Sequence, residues 1–367
     1  MDRLRTGVIG LGAIAQIMHL PYLRELDDRF ALAALCDLDP VALEEVGRRY
    51  GVARLFTAAA ELLAEPLDAV LILTSGNHAP DTIAALERGL HVLVEKPLAS
   101  TLRETDEVLA VAERSGKTLM VGMMKQYDPG YRRGVKLVRA LQDLRYVDAT
   151  TLQPDNWLYM FHHPIVRGAG WPPPVEERQG AAMFRGVQKA ILAQESSTLR
   201  EGSGSNDPDA LTAYAFLTSS SIHDVNALRG ALGQPEGVLA AHHWAGGTSF
   251  TATLAYPRDV RATYTWTLLP QLKHYTEDFS FYASDGRVSI RFPSPYLRNA
   301  PTLVETERME SEELQQTRLT TSYEEAFKQE LLEFAECVRT GRAPRTDGAG
   351  FRQDLEVITE IARSFSG

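Results

Sequence analysis

Cysteine is almost missing from this chain. Its 367 residues hold two, Cys36 and Cys337, far apart in sequence. That is too few for a disulfide framework, and no Cys–His spacing suits a metal. Excess basic charge is missing too. The formal net charge is −10, which argues against a general affinity for nucleic acid, because neutralising phosphates needs clustered Lys and Arg. No apolar run approaches the roughly 18–20 residues of a membrane helix. No signal-peptide core follows Met1-Asp2-Arg3-Leu4-Arg5, so the expected address is the cytoplasm, without a membrane partner. There is no internal repeat, and the length suits two domains better than one core.

What is present begins with alternation. Gly7-Val8-Ile9, Leu32 to Leu35, Ala69 to Leu73, Val92-Leu93-Val94 and Thr118 to Val121 read as short buried strands. Amphipathic stretches such as Pro40 to Tyr50 and Thr101 to Ser115 lie between them. Apolar strands separated by helices imply parallel pairing through right-handed crossovers, hence an α/β Rossmann domain with a doubly wound parallel sheet over residues 1–124.

Beyond it, 154–208 forms an irregular excursion rich in proline and glycine, with a helix expected at about 181–200. Such an excursion reads as a lid, binding loop or oligomer contact. From 236 to 292 the period becomes two, as in Ala262 to Leu268, where the large residues share one face and the threonines the other. Ser284-Asp285-Gly286-Arg287 reads as a hairpin turn. The expectation for 125–345 is an α+β domain with an open, mainly antiparallel sheet. Ser322-Tyr323-Glu324-Glu325 reads as a capping box ahead of a helix ended by Gly341. Residues 346–367 are expected to form a final helix, capped by Asp347, that packs back on the first domain.

Gly10-Leu11-Gly12-Ala13-Ile14-Ala15 follows the first strand and opens a helix. Gly10 permits the tight turn, and Gly12 lets backbone approach a pyrophosphate, with Ala13 and Ile14 completing the contact. Asp37 ends the second strand about 20 residues further on, where a carboxylate accepts both hydroxyls of an adenosine ribose. No Arg follows Asp37, so NAD is expected over NADP. At the end of the fifth strand stands Glu95-Lys96-Pro97, on the sheet edge where open α/β folds bind ligands.

In these features the sequence resembles the glucose-fructose oxidoreductase / inositol dehydrogenase / MocA-type oxidoreductases. The resemblance also rests on Thr74-Ser75-Gly76-Asn77-His78, Val121-Gly122 through Tyr127-x-Pro129, Ile222-His223-Asp224, and the closing stretch from Phe334 to Asp347-Gly348. It implies hydride transfer between a nicotinamide and a C–OH/C=O centre of a sugar, nucleotide-sugar, aminosugar or cyclitol. By matching position, Lys96 is implied as the catalytic lysine and His223 as the acid/base. Thr74, Asn77 and His78 line the cofactor path, and Glu95 reaches the nicotinamide-side ribose. A cis Lys96–Pro97 peptide and a homodimer or homotetramer through the C-terminal sheet are implied as well.

Departures accompany the resemblance. Ser219 stands where these dehydrogenases commonly carry an Asp four residues before the histidine, and Gln126 where an Arg is common. Lys125 could supply the positive contact instead, and Tyr127, Trp157 and Ser219 are further substrate candidates. The departures leave room for a second activity, in which retained NAD oxidises transiently and the net reaction is glycoside cleavage or elimination. A non-catalytic NAD sensor is the reading from another class, and retention of Lys96 and His223 speaks against it. His162-His163 and His242-His243, as adjacent pairs, would face opposite ways on a strand, so no metal site is expected.

Overall fold

The protein is described by a computed structural model, in which residues 3–168 and 197–365 are placed. The helix expected at 181–200 and the Pro172–Pro174 run lie mainly outside the described residues. The described chain groups into two units, one of residues 3–124, 160–168 and 327–352, the other of 125–159, 197–326 and 353–365.

The first unit is built on six parallel strands: β1 (Leu4–Ile9), β2 (Phe30–Cys36), β3 (Arg54–Phe56), β4 (Ala69–Ile72), β5 (His91–Glu95) and β6 (Leu119–Gly122). Their order is β3-β2-β1-β4-β5-β6, so the chain winds outward in both directions from the β1/β4 junction. β4 and β6 are buried throughout, which is why no polar alternation marks them in the sequence. The edge strand β3 (Arg54–Phe56) is not legible in the sequence. It is three residues long and its first residue is exposed, too weak a pattern to read.

Register then places the chemistry. Ile9 pairs with Cys36 and with Ile72, Ile72 with Val94, and Glu95 with Gly122. The residues just beyond these pairs, Gly10, Asp37, Leu73-Thr74 and Lys96, therefore share one carboxyl edge of the sheet. The flanking helices are closed at both ends. Asp39 caps Pro40–Tyr50 by accepting from Val41 and Ala42 N–H, and left-handed Gly51 ends it. Thr101 accepts from Glu104 N–H at the head of Leu102–Ser115, which ends at Gly116. Caps of this kind contribute about 1 kcal/mol each.

Near the C-terminus, Thr346 exchanges hydrogen bonds with Val121 on β6. Asp347 Oδ1 accepts from Gly350 N at 2.7 Å and caps the helix Gly348–Arg363. That helix is divided between the units, its residues up to Arg352 grouping with the first and the rest with the second. The capping box is a correction. The helix starts at Ala326, and Ser322 Oγ accepts from Glu324 N in a local turn. The Glu325 carboxylate accepts instead from Asn299 N at 2.8 Å and from Ala326 N at 3.1 Å. A tertiary contact has claimed the group that the local motif needed.

The second unit carries an eight-stranded sheet in the order β14-β13-β12-β11-β7-β10-β9-β8. Its strands are β7 (Leu144–Gln153), β8 (Gly237–Trp244), β9 (Ser249–Tyr256), β10 (Val260–Leu268), β11 (Thr276–Ala283), β12 (Gly286–Arg291), β13 (Leu303–Glu310) and β14 (Glu313–Thr320). All neighbours are antiparallel except β7 and β10. Burial in β10 alternates as the sequence pattern requires. Ala262, Tyr264 and Trp266 are buried, while Thr263, Thr265 and Thr267 are partly exposed. On the inner face the rings of Phe250 and Trp266 stack with centroids 5.5 Å apart. The hairpin between β11 and β12 turns at Ser284-Asp285, with Ala283 paired to Gly286. The β13–β14 hairpin was not legible, because nearly every residue of β14 is exposed and leaves no period to read.

Candidate active site

In the first unit the turn after β1 is built for close approach. Gly10 has φ +93°, and a Cβ there would lie 2.6 Å from Thr74 N and 2.7 Å from the Leu73 carbonyl carbon. Only glycine fits. At Gly12 a Cβ would meet only the Arg167 guanidinium, at 3.3 Å, and no backbone within 4 Å, so a flexible side chain alone covers this backbone. Asp37 is already oriented. Its Oδ2 accepts from Leu11 N at 2.6 Å and its Oδ1 from Asp39 N at 2.8 Å. The carboxylate is thus tied to the glycine turn and to the next helix, with lone pairs left over for ribose hydroxyls. A glycine turn of this kind beside a fixed acidic residue fits a dinucleotide.

Ala13 and Ile14 open the helical run that follows, which widens into a π-helical turn over Ala15–His19. Such wide turns re-aim side chains and recur at functional sites. Here the turn carries Gln16 and His19, neither of which the sequence reading singled out. His19 is fully buried, and its Nε2 lies 3.0 Å from Glu95 Oε1. Glu95 Oε2 accepts from Lys96 N at 3.2 Å. Burial pushes the Glu95 carboxyl up, but the hydrogen bond from His19 and the charges of His19 and Lys96 outweigh it, holding Glu95 below the usual carboxylate range.

Lys96 follows at the strand end and keeps some surface. Burial of its ammonium lowers its pKa below the usual lysine value, against the opposing pull of Glu95. The Lys96–Pro97 peptide is cis. His78, 1% exposed, bridges two backbone segments: Nδ1 lies 2.6 Å from Pro97 O and Nε2 2.9 Å from Thr74 O. It ties the loop after β4 to the loop carrying Lys96. Asn77 Oδ1 accepts from Ala79 N at 3.0 Å, just ahead of the helix Ala79–Glu87, and its amide donates to Glu104 Oε1 at 2.8 Å. These contacts hold both side chains in place, His78 between the loop after β4 and the loop carrying Lys96, and Asn77 against Glu104.

Beneath Glu95 the helix Ala326–Thr340 brings a second carboxylate. Glu330 is fully buried, and neither oxygen has a hydrogen-bond partner among the described residues. Burial drives its carboxyl well above the usual range, and the charge on Glu95 adds to the effect.

The second unit places His223 on the helix Ile222–Leu232, directly after a π-helical turn over Leu217–Ser221. His223 is partly exposed. Ser219 lies within that turn, and its hydroxyl donates to Ala215 O at 2.6 Å. Lys125, expected as a substrate contact, is 7% exposed and sits in an ion cluster. Its Nζ lies 3.0 Å from Asp224 Oδ1 and also contacts Glu277. Asp224 Oδ2 in turn accepts from Tyr264 OH at 2.7 Å and Thr151 Oγ1 at 3.0 Å, and Glu277 Oε2 from Tyr275 OH at 2.8 Å. Thr151 and Glu277 are cross-strand partners on β7 and β11. The cluster joins the sheet to the helix of His223, and the sequence concealed it because its charged members, Lys125, Asp224 and Glu277, are more than fifty residues apart.

Gln126 donates to Asn226 Oδ1 at 2.8 Å. Tyr127 is buried, and Trp157 is partly exposed at the head of the short helix Trp157–Met160. His162 and His163 lie in a turn with ring centroids 4.4 Å apart, so the strand geometry assumed for that pair does not hold. Among the described residues no group of three or more His, Cys, Asp or Glu could hold a metal, and no helix is long and apolar enough to cross a membrane.

Comparison with known proteins follows the first unit most closely. Residues 4–123 match the family described as "Oxidoreductase family, NAD-binding Rossmann fold". A 1-carboxy-3-chloro-3,4-dihydroxycyclohexa-1,5-diene dehydrogenase of Comamonas testosteroni is 34% identical over 155 residues, 40% of this chain and 38% of its own length. The myo-inositol 2-dehydrogenase of Thermotoga maritima is 33% identical over 132 residues, 35% of this chain and 39% of its own. The matched segments therefore span about two fifths of these relatives. The fold extends further. KijD10, a 3-ketoreductase of Actinomadura kijaniata solved with NADP and TDP-benzene, superposes with a TM-score of 0.73 at 21% identity, covering 99% of this chain and 98% of its own. Residues 4–123, which carry the glycine turn and Glu95-Lys96-Pro97 at the sheet edge, are thus similar to the NAD-binding Rossmann domain of the Gfo/Idh/MocA oxidoreductases.

Proposed function

We propose that the protein is an NAD(P)-dependent dehydrogenase or reductase acting on a C–OH/C=O centre of a small polyhydroxylated molecule: a sugar, nucleotide-sugar, aminosugar or cyclitol. The observation that carries the reading is Lys96, held on the same sheet edge as the Gly10–Gly12 turn and desolvated enough to lower its pKa. The nicotinamide supplies or accepts the hydride. Lys96 then balances the negative charge that develops on the substrate oxygen, and a lowered ammonium pKa makes it a better proton donor. His223, on the second unit, takes the acid/base role. Residues 1–124 hold the cofactor and 125–345 the substrate.

NAD is preferred over NADP in this reading, because the fixed Asp37 carboxylate favours ribose hydroxyls and repels a 2′-phosphate. The sheet of the second unit is assigned to a homodimer or homotetramer, and the cytoplasm remains the proposed address.

The test is nicotinamide absorbance during incubation with NAD or NADP and a panel of these substrate classes. Lys96→Ala is expected to lower kcat by about 100- to 10,000-fold with NADH binding retained. Turnover unchanged in Lys96→Ala would remove the lysine from the chemistry. A second reading, transient oxidation by a retained cofactor with no net redox change, is favoured by Ser219, whose hydroxyl is engaged by Ala215 O and is no carboxylate base. Product formation without net NADH would select it.

A further inference from the structure

One segment of the excursion bears on the cofactor site in a way the sequence did not suggest. Residues 164–168 lie along the first unit and are fastened at alternate positions. Arg49 Nη1 donates to Pro164 O at 2.9 Å. The Gln16 amide closes a two-way bond with Val166: Nε2 donates to Val166 O at 2.8 Å, and Oε1 accepts from Val166 N at 2.9 Å. The same Nε2 donates to Leu11 O at 2.7 Å, inside the glycine turn. Gly168 N donates to Asp39 Oδ2 at 2.6 Å. Gln16 is 8% exposed, so this is a built contact and no surface encounter.

The fastening fixes the residue between Val166 and Gly168. Arg167 Nη2 lies 3.3 Å from the Cβ position of Gly12, over the backbone of that glycine. The carboxylate of Asp39 feels the same guanidinium: the Gly168 hydrogen bond above all, with Arg167's charge adding, holds Asp39 below the usual range against some burial. A cation missing from the residues after Asp37 is thus delivered from about 130 positions away, and it is delivered to the turn.

We propose that Arg167 is a ligand of the dinucleotide pyrophosphate, and that residues 164–168, latched by Gln16 and Asp39, hold the cofactor in place. The inference rests on the dinucleotide reading above. A guanidinium offers the paired donors that phosphate oxygens accept, and a diphosphate beside two carboxylates, Asp37 and Asp39, needs a counter-charge. Gln16 acts as a positioning residue: it grips the turn and the latch with one amide. Cofactor release then requires the latch to open, which makes dissociation slow.

The test uses the full chain and titrates NADH and NADPH by fluorescence, with dissociation followed by stopped-flow displacement. Arg167→Ala is expected to raise Kd for both nucleotides by about 10- to 100-fold, chiefly through faster dissociation. Arg167→Lys should recover part of the loss, since the charge stays and the paired geometry goes. Gln16→Glu, which removes the donor that grips Val166, should speed NADH dissociation while Arg167 is intact. Unchanged Kd and dissociation in Arg167→Ala would overturn the proposal. A loss confined to NADPH would overturn it too, by moving the guanidinium to the 2′-phosphate. If the wild-type chain binds neither nucleotide, the cofactor reading itself fails and the clamp with it.

Discussion

Lys125 Nζ lies 3.0 Å from Asp224 Oδ1, with both side chains shut away from solvent, and Asp224 is the residue that follows His223. Lys125 acts as an internal counter-ion in the second unit. It balances Asp224 and Glu277, and through Asp224 it holds the helix of His223 against the sheet.

Removing that counter-ion leaves two buried carboxylates without compensation. Lys125→Met is expected to destabilise the protein by about 3–5 kcal/mol, read from the urea unfolding midpoint. The double variant Lys125→Met/Glu277→Gln should lose less than the sum of the two single losses, because the partners are coupled. A loss under about 1 kcal/mol in Lys125→Met would mean the cluster does not carry these charges.

Two buried carboxyls in the first unit should respond to pH with opposite signs. Glu95 is held below its unfolded value, so its contribution is complete above about pH 4.3 and is lost as pH falls through the lower folded value. Glu330 is raised, so it costs nothing below about pH 4.3 and becomes a growing burden as pH rises towards its folded value. In thermal melts across pH, Glu330→Gln should flatten the fall in stability above the ordinary carboxyl range. Glu95→Gln should differ least from wild type in acid. Parallel pH profiles for wild type and Glu330→Gln would show that Glu330 is not the group responsible.

The two glycines of the cofactor turn should differ sharply. Gly10→Ala forces a side chain into positive φ and against the Thr74 and Leu73 backbone, and about 1–3 kcal/mol of strain is expected together with loss of NADH binding. Gly12→Ala meets only the end of a flexible arginine. Its fold should keep wild-type thermal stability, with the damage appearing in NADH affinity. Equal loss of melting temperature in both variants would contradict the geometry.

His78 joins the Thr74 and Pro97 carbonyls, and its replacement tests whether that bridge positions Lys96. His78→Ala is expected to lower kcat more than it raises the NADH dissociation constant. Restoration of kcat by His78→Gln, whose amide can still donate, would separate positioning from bulk loss of packing. A fall in affinity with kcat intact would place His78 at the cofactor instead.

By itself the sequence determined the local features. Strand-turn-helix context made Gly10-x-Gly12 legible, continuous apolar runs marked the buried parallel strands, and the two-residue period of β10 marked the second sheet. These signals are legible because each arises within a few residues of backbone geometry and burial. The exposed β14, the three-residue β3 and the diverted Glu325 carried no such local signal, or one that a tertiary contact overruled.

Tertiary structure alone decided the polar pairings. Gln16 with Val166, Arg167 over Gly12, His19 with Glu95, and Lys125 between Asp224 and Glu277 join residues that lie tens to hundreds of positions apart. A charged side chain does not encode its partner in its own neighbourhood; the partner is selected by which groups the fold removes from water together, since a buried polar group must find its counterpart there.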